Sequence, residues 1–553
     1  MKPKNLTALL GGLSAVLMSI PFIVPHCGWT ALFGLVPLLC MERIGTEAGL
    51  RGMNLRIYGV LVLWNALTTF WVCNATVGGG IFAVLANALQ MAVIFALFRV
   101  SRKVFRGSVP YLFLAAMWIA WERFYFSAQI SWPWLTLGNA FARTLTLAQW
   151  YEYTGILGGS LWVWACNLGL FGLMVSLADG RFFRWNGKAK AASLLGCASV
   201  LFAPMVLSAV IWNRYEETDE PLEVLIVQPN IDPYHKFQAL SQGAQNAIVE
   251  GQIREALQDR LHDSTASRLL ILVPETFTAD VTTNHIPESA TWRKFTELMK
   301  EYPGTSLLFG ASSHTYSTGP RPSWNARPAR WPIPEEAPAS EMRPIKYDSG
   351  WVTAHNSALM ADGDGSTEIF HKSKLVVGVE MTPWPAFFTK IDDLLGGVMG
   401  RCVGQEEITL LHAGEIPLGC AVCYESVYGE YCTGYVRKGA RLLTVITNDA
   451  WWGNTPGYRQ HLSYSSLRAI ETRRDIARCA NTGISALIDQ RGRILRQTPW
   501  WEMATIRGTV NLSDRETFFV RNGDITGRLC TLVFGLLFLA LIIRAVIPKE
   551  FRK

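Results

Sequence analysis

The chain has 553 residues, of which 50% are hydrophobic and 17% are charged, with a net charge of +7 and 11 cysteines. This length predicts at least two structural units, and the composition excludes the disordered, collagen-like and low-complexity classes. Too few cysteines are present for a disulfide scaffold. The hydrophobic residues crowd into the first ~215 and the last ~27 residues as nearly uncharged runs, which is typical of membrane spans and not of a purely soluble protein.

Membrane-spanning helices need roughly 20 mostly apolar residues. Seven such runs precede a polar middle region, and an eighth follows it. The predicted spans cover residues 5–24, 28–41, 57–73, 79–98, 109–128, 158–178, 191–212 and 527–547. We therefore predict an α-helical membrane domain over 1–212, a polar domain over 213–525, and a final span with its tail over 526–553.

Loops rich in lysine and arginine alternate along the chain with loops that contain almost none. Lysine and arginine are frequent at the N-terminus, near 43–56, 99–106 and 181–190, and at the C-terminal end, whereas the loops 25–27, 74–78 and 129–157 have almost none. Cytoplasmic loops carry such an excess of basic residues. The pattern predicts that both termini are cytoplasmic and that the polar domain lies outside the cytoplasm. It also explains the basic net charge without a nucleic-acid partner.

The polar domain alternates strand and helix patterns. Strands are predicted near 222–227, 269–273, 306–309, 418–422, 442–446 and 484–489, and helices near 239–260, 290–301, 426–437 and 458–475. Alternation of this kind over ~310 residues predicts a layered α/β domain. Residues 314–349 are rich in Pro, Arg and Trp without periodicity, so we predict an inserted loop there.

Cys423 ends an apolar strand, and a predicted helix starts directly after it. A thiol at such a turn faces the positive end of the helix and backbone N–H groups, which lower a thiol pKa and stabilise an oxyanion. A buried structural cysteine is the alternative. Cys420 and Cys423 also form a C-x-x-C pair. A redox site remains open, whereas a zinc site is disfavoured because no second ligand pair accompanies them.

Two further candidates are a glutamate that follows a strand and a pair of lysines that precedes an apolar run. Glu275 comes just after the strand at 269–273, where α/β proteins gather their functional groups. Lys372 and Lys374 precede an apolar run, and a lysine there can hold a developing oxyanion. An ordinary surface role is the alternative for each. His461 is interpreted as a supporting hydrogen-bonding residue and not as a base.

In this order, Glu275, Lys372 and Cys423 resemble the Glu, Lys and Cys of the nitrilase superfamily. With the helical bundle and the final span, the whole chain resembles its membrane-embedded branch, the bacterial apolipoprotein N-acyltransferases. The motifs that carry this resemblance are Ser131-Trp132-Pro133-Trp134, Pro274-Glu275, Lys372, Leu375-Val376, Glu380, Cys423-Tyr424-Glu425, Asn448-Asp449-Ala450-Trp451, His461, Arg468-Ala469-Ile470-Glu471 and Asn481-Thr482-Gly483. The chain departs from the family pattern at Phe237, Val273 and Val377.

The resemblance implies a nitrilase-like αββα catalytic domain and transfer of an acyl chain from a phospholipid to the N-terminal amine of a diacylated apolipoprotein. It implies Glu275 as general base, Cys423 as nucleophile that forms a thioester, and Lys372 as oxyanion donor. Supporting or substrate-binding roles are expected for Glu380, Tyr424, Glu425 and Phe237. No metal or cofactor is expected. The expected location is the bacterial inner membrane with the domain in the periplasm, and a monomer is expected.

Three other functions stay open. A membrane-anchored amidase or hydrolase would use the same three residues with water as acceptor. A transporter with an accessory domain is disfavoured because the predicted spans carry few charges. A thiol–disulfide oxidoreductase would need both Cys420 and Cys423.

Overall fold

A computed structural model describes residues 1–234, 236–263, 267–332, 347–388, 400 and 402–546. The helices are α1 (Pro3–Ile23), α2 (Ala31–Gly34), α3 (Val36–Glu47), α4 (Met53–Thr69), α5 (Val72–Ala75), α6 (Val77–Val104), α7 (Val109–Tyr125), α8 (Tyr151–Ala178), α9 (Arg181–Arg184), α10 (Gly187–Arg214), α11 (Lys236–Ala239), α12 (Gln242–Ala256), α13 (Ala290–Lys300), α14 (Gly429–Arg437), α15 (Pro456–Thr472), α16 (Phe518–Asn522) and α17 (Ile525–Val546).

The strands are β1 (Pro221–Gln228), β2 (Leu269–Leu272), β3 (Thr278–Thr282), β4 (Thr305–Ser317), β5 (Arg327–Pro332), β6 (Tyr347–Asp362), β7 (Thr367–His371), β8 (Leu411–Ala413), β9 (Ile416–Val422), β10 (Leu442–Thr447), β11 (Ile476–Ala480), β12 (Ala486–Ile488), β13 (Ile494–Gln497) and β14 (Ala504–Asn511). The predicted fold class is confirmed: an N-terminal helical region precedes an α/β domain, and one apolar helix ends the described chain.

Among the described helices, five are long and apolar enough to cross a membrane, namely α1, α6, α8, α10 and α17. The helices α4 and α7 have 17 residues each and fall just short of that length. The second predicted span is broken, because α2 ends at Gly34 and α3 begins at Val36 with Pro37 in its first turn. The count of eight spans therefore stays a prediction.

Two sheets form the α/β domain. The first has the strand order β14-β1-β2-β4-β6-β5, with β3 beside β4 and β7 beside β6. The second has the order β13-β12-β11-β10-β9-β8, and its strands β9, β10 and β11 run parallel. Parallel neighbours end at the same edge of a sheet, so residues that follow them meet there.

The two sheets face each other across one apolar core. Alternate residues of β1, such as Val224 and Ile226, pack in the same cluster as Leu418 and Val422 of β9. The other face of β1, with Leu225 and Val227, packs with residues of α12 and α13. Side chains of α14 and α15 join the core of the second sheet. Successive strand residues point to opposite faces, so this pattern gives the layers helix, sheet, sheet, helix.

The helix α15 also connects the α/β domain to the membrane part. Its residues Tyr464, Leu467 and Ile470 pack in the same apolar cluster as the membrane helices. Gln460 donates to the backbone oxygens of Phe22 at 3.1 Å and Thr68 at 3.2 Å. Every residue of this helix from Gly457 to Thr472 except Arg459 is buried, so its polar and apolar residues do not separate into an exposed and a buried face.

The segment 314–349 was predicted as a loop, but part of its described residues form strands. Its first residues belong to β4, which ends at Ser317, and β5 pairs antiparallel with β6 further along. Many residues of this strand pair are partly exposed, so they lack the apolar alternation that predicts a strand. Residues 333–346 of the predicted loop lie outside the described part of the chain.

Candidate active site

Cys423 lies directly after β9, where a short 3-10 helix over Cys423–Val427 begins. Its backbone φ is +53°, a left-handed conformation that non-glycine residues adopt at an energetic cost. The backbone oxygen of Cys423 accepts a hydrogen bond from the hydroxyl of Ser426 at 2.7 Å. The sharp turn places a partly exposed thiol at the edge of the second sheet.

Glu275 follows β2 and reaches the same place from the first sheet. It is 6% exposed. Its Oε2 accepts the backbone N–H of Asn448, the residue that follows β10, at 3.0 Å. A Cβ at Gly310 of β4 would lie 2.5 Å from Cα of Glu275, so only glycine allows this close approach. The local packing thus fixes the carboxylate between the two sheets.

Lys372 follows β7 and is 1% exposed. Its Nζ lies 3.2 Å from Oε1 of Glu275 and 3.0 Å from Oε1 of Glu380. The second oxygen of Glu380 accepts the backbone N–H of Val376 at 2.7 Å. A buried ammonium is stable only when it is paired, and this lysine lies between two carboxylates.

The charges of this cluster act on one another. Burial opposes the charged form of Lys372, but Glu380 and Glu275 raise its pKa well above the usual value. Burial raises the pKa of the Cys423 thiol, Glu275 raises it further, and Lys372 lowers it. The resting cysteine is therefore a thiol, and it needs a base to become a nucleophile.

Glu425 connects the cysteine turn to the lysine loop. Its Oε1 accepts the backbone N–H groups of Ser373 at 2.7 Å and Lys374 at 3.1 Å, and the hydroxyl of Tyr431 at 2.8 Å. Its Oε2 accepts the N–H of Val422 at 2.8 Å. The carboxylate is fully buried, and burial raises its pKa against the effect of these hydrogen bonds.

Aromatic residues of the membrane part lie against the cysteine turn. The ring of Trp132 stacks on Tyr424 at 6.0 Å and on Trp134 at 5.1 Å. The hydroxyl of Tyr424 donates to the backbone oxygen of Ser131 at 3.0 Å. The Ser131–Trp134 segment, singled out in the sequence, thus packs directly against the residue after Cys423.

A buried cluster of polar side chains, Asp449, Arg478 and His461, contacts the turn at Cys423. Asp449 pairs with Arg478 at 2.6 Å and lies 2.9 Å from Nδ1 of His461. Nε2 of His461 lies 3.1 Å from the backbone oxygen of Cys423. Burial opposes ionisation of Asp449, but Arg478 and His461 lower its pKa to about 2. Burial and Arg478 lower the pKa of His461.

Potential metal ligands of Cys423, Asp449 and His461 lie within 4.8 Å of one another. This set does not fit a metal ion, because both oxygens of Asp449 already bind Arg478 and His461. The predicted absence of a metal stays a prediction.

The other cysteine of the C-x-x-C pair is in a different environment. Cys420 is 1% exposed and packs in the core between the sheets, and the structure contains it as a free thiol. Burial raises its pKa to about 12. These features are typical of a structural cysteine. The side chain of Phe237 lies outside the described residues, so its predicted role near the site stays a prediction.

Sequence reasoning missed two residues of the site. Asn356 of β6 donates its Nδ2 to Glu275 and to Glu380, each at 2.7 Å. Lys236 is 5% exposed, and its Nζ donates to the backbone oxygen of Thr276. Burial lowers the pKa of Lys236 to about 8 against the effect of Glu275. Asn356 lies between His355 and Ser357, so no local pattern in the sequence singled it out.

Two family models match the chain. The model described as the apolipoprotein N-acyltransferase N-terminal domain matches residues 14–169, and the carbon-nitrogen hydrolase model matches residues 333–518. An apolipoprotein N-acyltransferase of Chlorobaculum tepidum is 27% identical over 560 residues, which cover 96% of each chain. One of Geobacter metallireducens is 28% identical over 536 residues, which cover 94% of this chain and 92% of the relative.

The α/β part is similar to a solved structure of Saccharomyces cerevisiae Nit3, a member of branch 10 of the nitrilase superfamily. The identity is 13%, the TM-score is 0.35, and the likeness covers 54% of this chain and 92% of that one.

Proposed function

The chain belongs to the apolipoprotein N-acyltransferase family, an enzyme family of the carbon-nitrogen hydrolase superfamily, and we propose that it N-acylates lipoproteins at the Cys423 site. The acyl donor is a phospholipid, and the acceptor is the N-terminal amine of a diacylated apolipoprotein. The observation that supports this proposal best is that the paired Glu275 and Lys372 both act electrostatically on the thiol of Cys423, while the next residue, Tyr424, stacks on Trp132 of the membrane part.

In the first step, Glu275 takes the proton of the Cys423 thiol, and the sulfur attacks the ester carbonyl of the phospholipid. Lys372 and the backbone N–H of Tyr424 stabilise the tetrahedral oxyanion; removal of one such donor typically slows the reaction ~10²–10³-fold. The C–O bond breaks, the lysophospholipid alcohol takes a proton from Glu275, and a thioester remains.

In the second step, the amine of the apolipoprotein attacks the thioester carbonyl. Glu275 accepts the proton of the amine, the C–S bond breaks, and the thiol of Cys423 regains its proton. The two half-reactions share one site, so ping-pong kinetics are expected. This sequence of steps needs no metal or organic cofactor.

The proposed orientation places the α/β domain in the periplasm and both termini in the cytoplasm. Its support is the position of the loops poor in lysine and arginine, since Asn74 donates to the backbone oxygen of Trp452 and Trp134 donates to Gln460 of α15. Two of the basic segments are joined to each other, since Arg43 pairs with Asp179 at 2.8 Å. At a site on the membrane surface, the acyl chains can stay in the lipid. Their transfer into water would cost roughly 0.8 kcal/mol per exposed CH₂.

The test uses the full chain in detergent with a phospholipid labelled in one acyl chain and a diacylated lipopeptide with a free N-terminal amine. Transfer of the label to the lipopeptide amine supports the proposal. The matched control is the same lipopeptide with its amine acetylated, which must stay unlabelled. Release of free labelled fatty acid at the same rate with or without the lipopeptide would instead identify a hydrolase.

A further inference from the structure

Asn356 occupies the centre of the charged cluster. It lies on β6 and is 5% exposed. Its Nδ2 lies 2.7 Å from Oε1 of Glu275 and 2.7 Å from Oε1 of Glu380. Its backbone oxygen accepts the N–H of Lys372 at 2.8 Å. Asn356 thus contacts both carboxylates through its side chain and the backbone of Lys372 through its carbonyl oxygen.

The orientation of the Asn356 amide follows from its partners. Ionised carboxylates only accept hydrogen bonds, so the nitrogen of the amide must face Glu275 and Glu380. Its Oδ1 is then buried without a partner among the described residues. A buried acceptor without a hydrogen bond is destabilising, so stability alone does not explain an asparagine at this position.

The electrostatics give the amide a function. Glu275 and Glu380 both pair with the ammonium of Lys372, and two carboxylates so close to each other repel. The amide of Asn356 donates to both carboxylates, which offsets this repulsion. The other titratable groups around the cluster are Lys236 of α11, Cys402, Cys420 and Cys423, with the stacked rings of His355 and His371 beside Asn356 and Lys372.

We propose that Asn356 is a positioning residue for acylation of Cys423: its amide holds Glu275 and Glu380 together around Lys372 and so fixes the position of the Glu275 carboxylate. This inference rests on the proposed function, because it concerns the base of the first half-reaction. A general base that is displaced from the thiol accepts its proton less efficiently.

The experiment compares the parent chain with Asn356→Ala and Asn356→Asp. The rate of acyl addition to Cys423 from phospholipid is followed by intact mass between about pH 5.5 and pH 8.5, a range chosen for the titration of the carboxyl that Asn356→Asp introduces beside two carboxylates. Iodoacetamide alkylation of Cys423 is followed in parallel by peptide mass. Asn246→Ala is the matched control, since Asn246 is a buried asparagine that donates to Thr291, away from the site.

Asn356→Ala is expected to slow acylation by about tenfold or more at every pH, whereas Asn246→Ala leaves the rate unchanged. Asn356→Asp keeps the shape of the side chain but has no donor when it is ionised. Its rate relative to Asn356→Ala is expected to rise by about tenfold as the pH falls, because a protonated Asp can donate one hydrogen bond.

Equal losses in Asn356→Ala and Asn356→Asp at every pH would overturn the inference, and so would a rate in Asn356→Ala equal to that of the control. Thermal melting of all variants identifies loss of folding. If the parent chain gains no acyl group, the proposed function fails. The alkylation profile then still decides on Asn356, because an unchanged profile in Asn356→Ala contradicts its role in positioning the charged groups that act on Cys423.

Discussion

Glu425 accepts the backbone N–H of Ser373 at 2.7 Å, and this hydrogen bond joins the turn that carries Cys423 to the loop that carries Lys372. Glu425 and Ser373 belong to elements from different sheets and are 52 residues apart in sequence. The distance between the proposed nucleophile and the proposed oxyanion donor therefore depends on this buried carboxylate. Errors of ~1 Å in such a distance cost about 10² in rate.

Replacement of Glu425 by Gln tests this connection. Gln has one acceptor oxygen in place of two, so some of the four hydrogen bonds to Glu425 are lost, each worth ~1.5–3 kcal/mol for a charged group. We expect a lower melting temperature and acylation slowed by about tenfold or more. The control is Glu430→Gln, an exposed residue of α14 that pairs with Arg528. Equal behaviour of the two variants would contradict the role of Glu425.

Lys372 and Lys374 form a natural pair for comparison. We expect Lys372→Met to slow acylation ~10²–10³-fold, because the oxyanion loses a donor and two carboxylates lose their counter-charge. Lys374→Met should have a much smaller effect, since Lys374 lies over the ring of Tyr428, 5.3 Å from its centre. Single-turnover acylation followed by mass measures both. A larger loss of acylation rate in Lys374→Met than in Lys372→Met would identify Lys374 as the oxyanion donor.

Glu275→Gln should separate two properties of Cys423. Burial is the largest cause of the raised pKa of the Cys423 thiol, and the charge of Glu275 is the second. Removal of the Glu275 charge therefore lowers the thiol pKa and increases the thiolate fraction at a given pH. Iodoacetamide alkylation at about pH 8 should therefore become faster. Acylation should fall ~10²–10⁴-fold because the general base is gone. If alkylation slows together with acylation, Glu275 does not act as this base.

Cys420→Ala distinguishes acyl transfer from thiol–disulfide chemistry. Cys420 packs in the core between the sheets, so its replacement should lower the melting temperature through a small cavity and leave acylation intact. Cys423→Ala should remove acylation entirely. The same assay on both variants decides the matter, and loss of activity in Cys420→Ala without loss of folding would favour the oxidoreductase.

The sequence predicted best those site residues that follow strands. Glu275, Cys423 and Asn448 each come after an apolar run that is typical of a buried strand, so their positions at strand ends were predicted, whereas the meeting of the two sheets was not. Asn356 lies inside β6, and its partners Glu275 and Glu380 are distant in sequence. The pairing is therefore visible only in the folded structure. Long-range pairs of this kind have no local pattern.

The membrane part shows the same limit of prediction. The long apolar runs of α1, α6, α8, α10 and α17 were visible as spans, because hydropathy over ~20 residues is a local property. The break of the second run at Leu35 was not predicted, although Asn167 of α8 accepts the backbone N–H groups of Leu35 and Val36 at 2.8 and 3.0 Å. The strand pair β5–β6 was missed because β5 is rich in Pro and Arg and the first half of β6 is partly exposed.

The central claim is that Cys423 carries the acyl chain between donor and acceptor. Its most direct test is the intact mass of the purified full chain after incubation with phospholipid alone, for the parent and for Cys423→Ala. The account predicts a mass gain of one acyl chain in the parent, labile to hydroxylamine and absent in Cys423→Ala. A parent chain that releases fatty acid or transfers label to the lipopeptide without ever gaining that mass would contradict it.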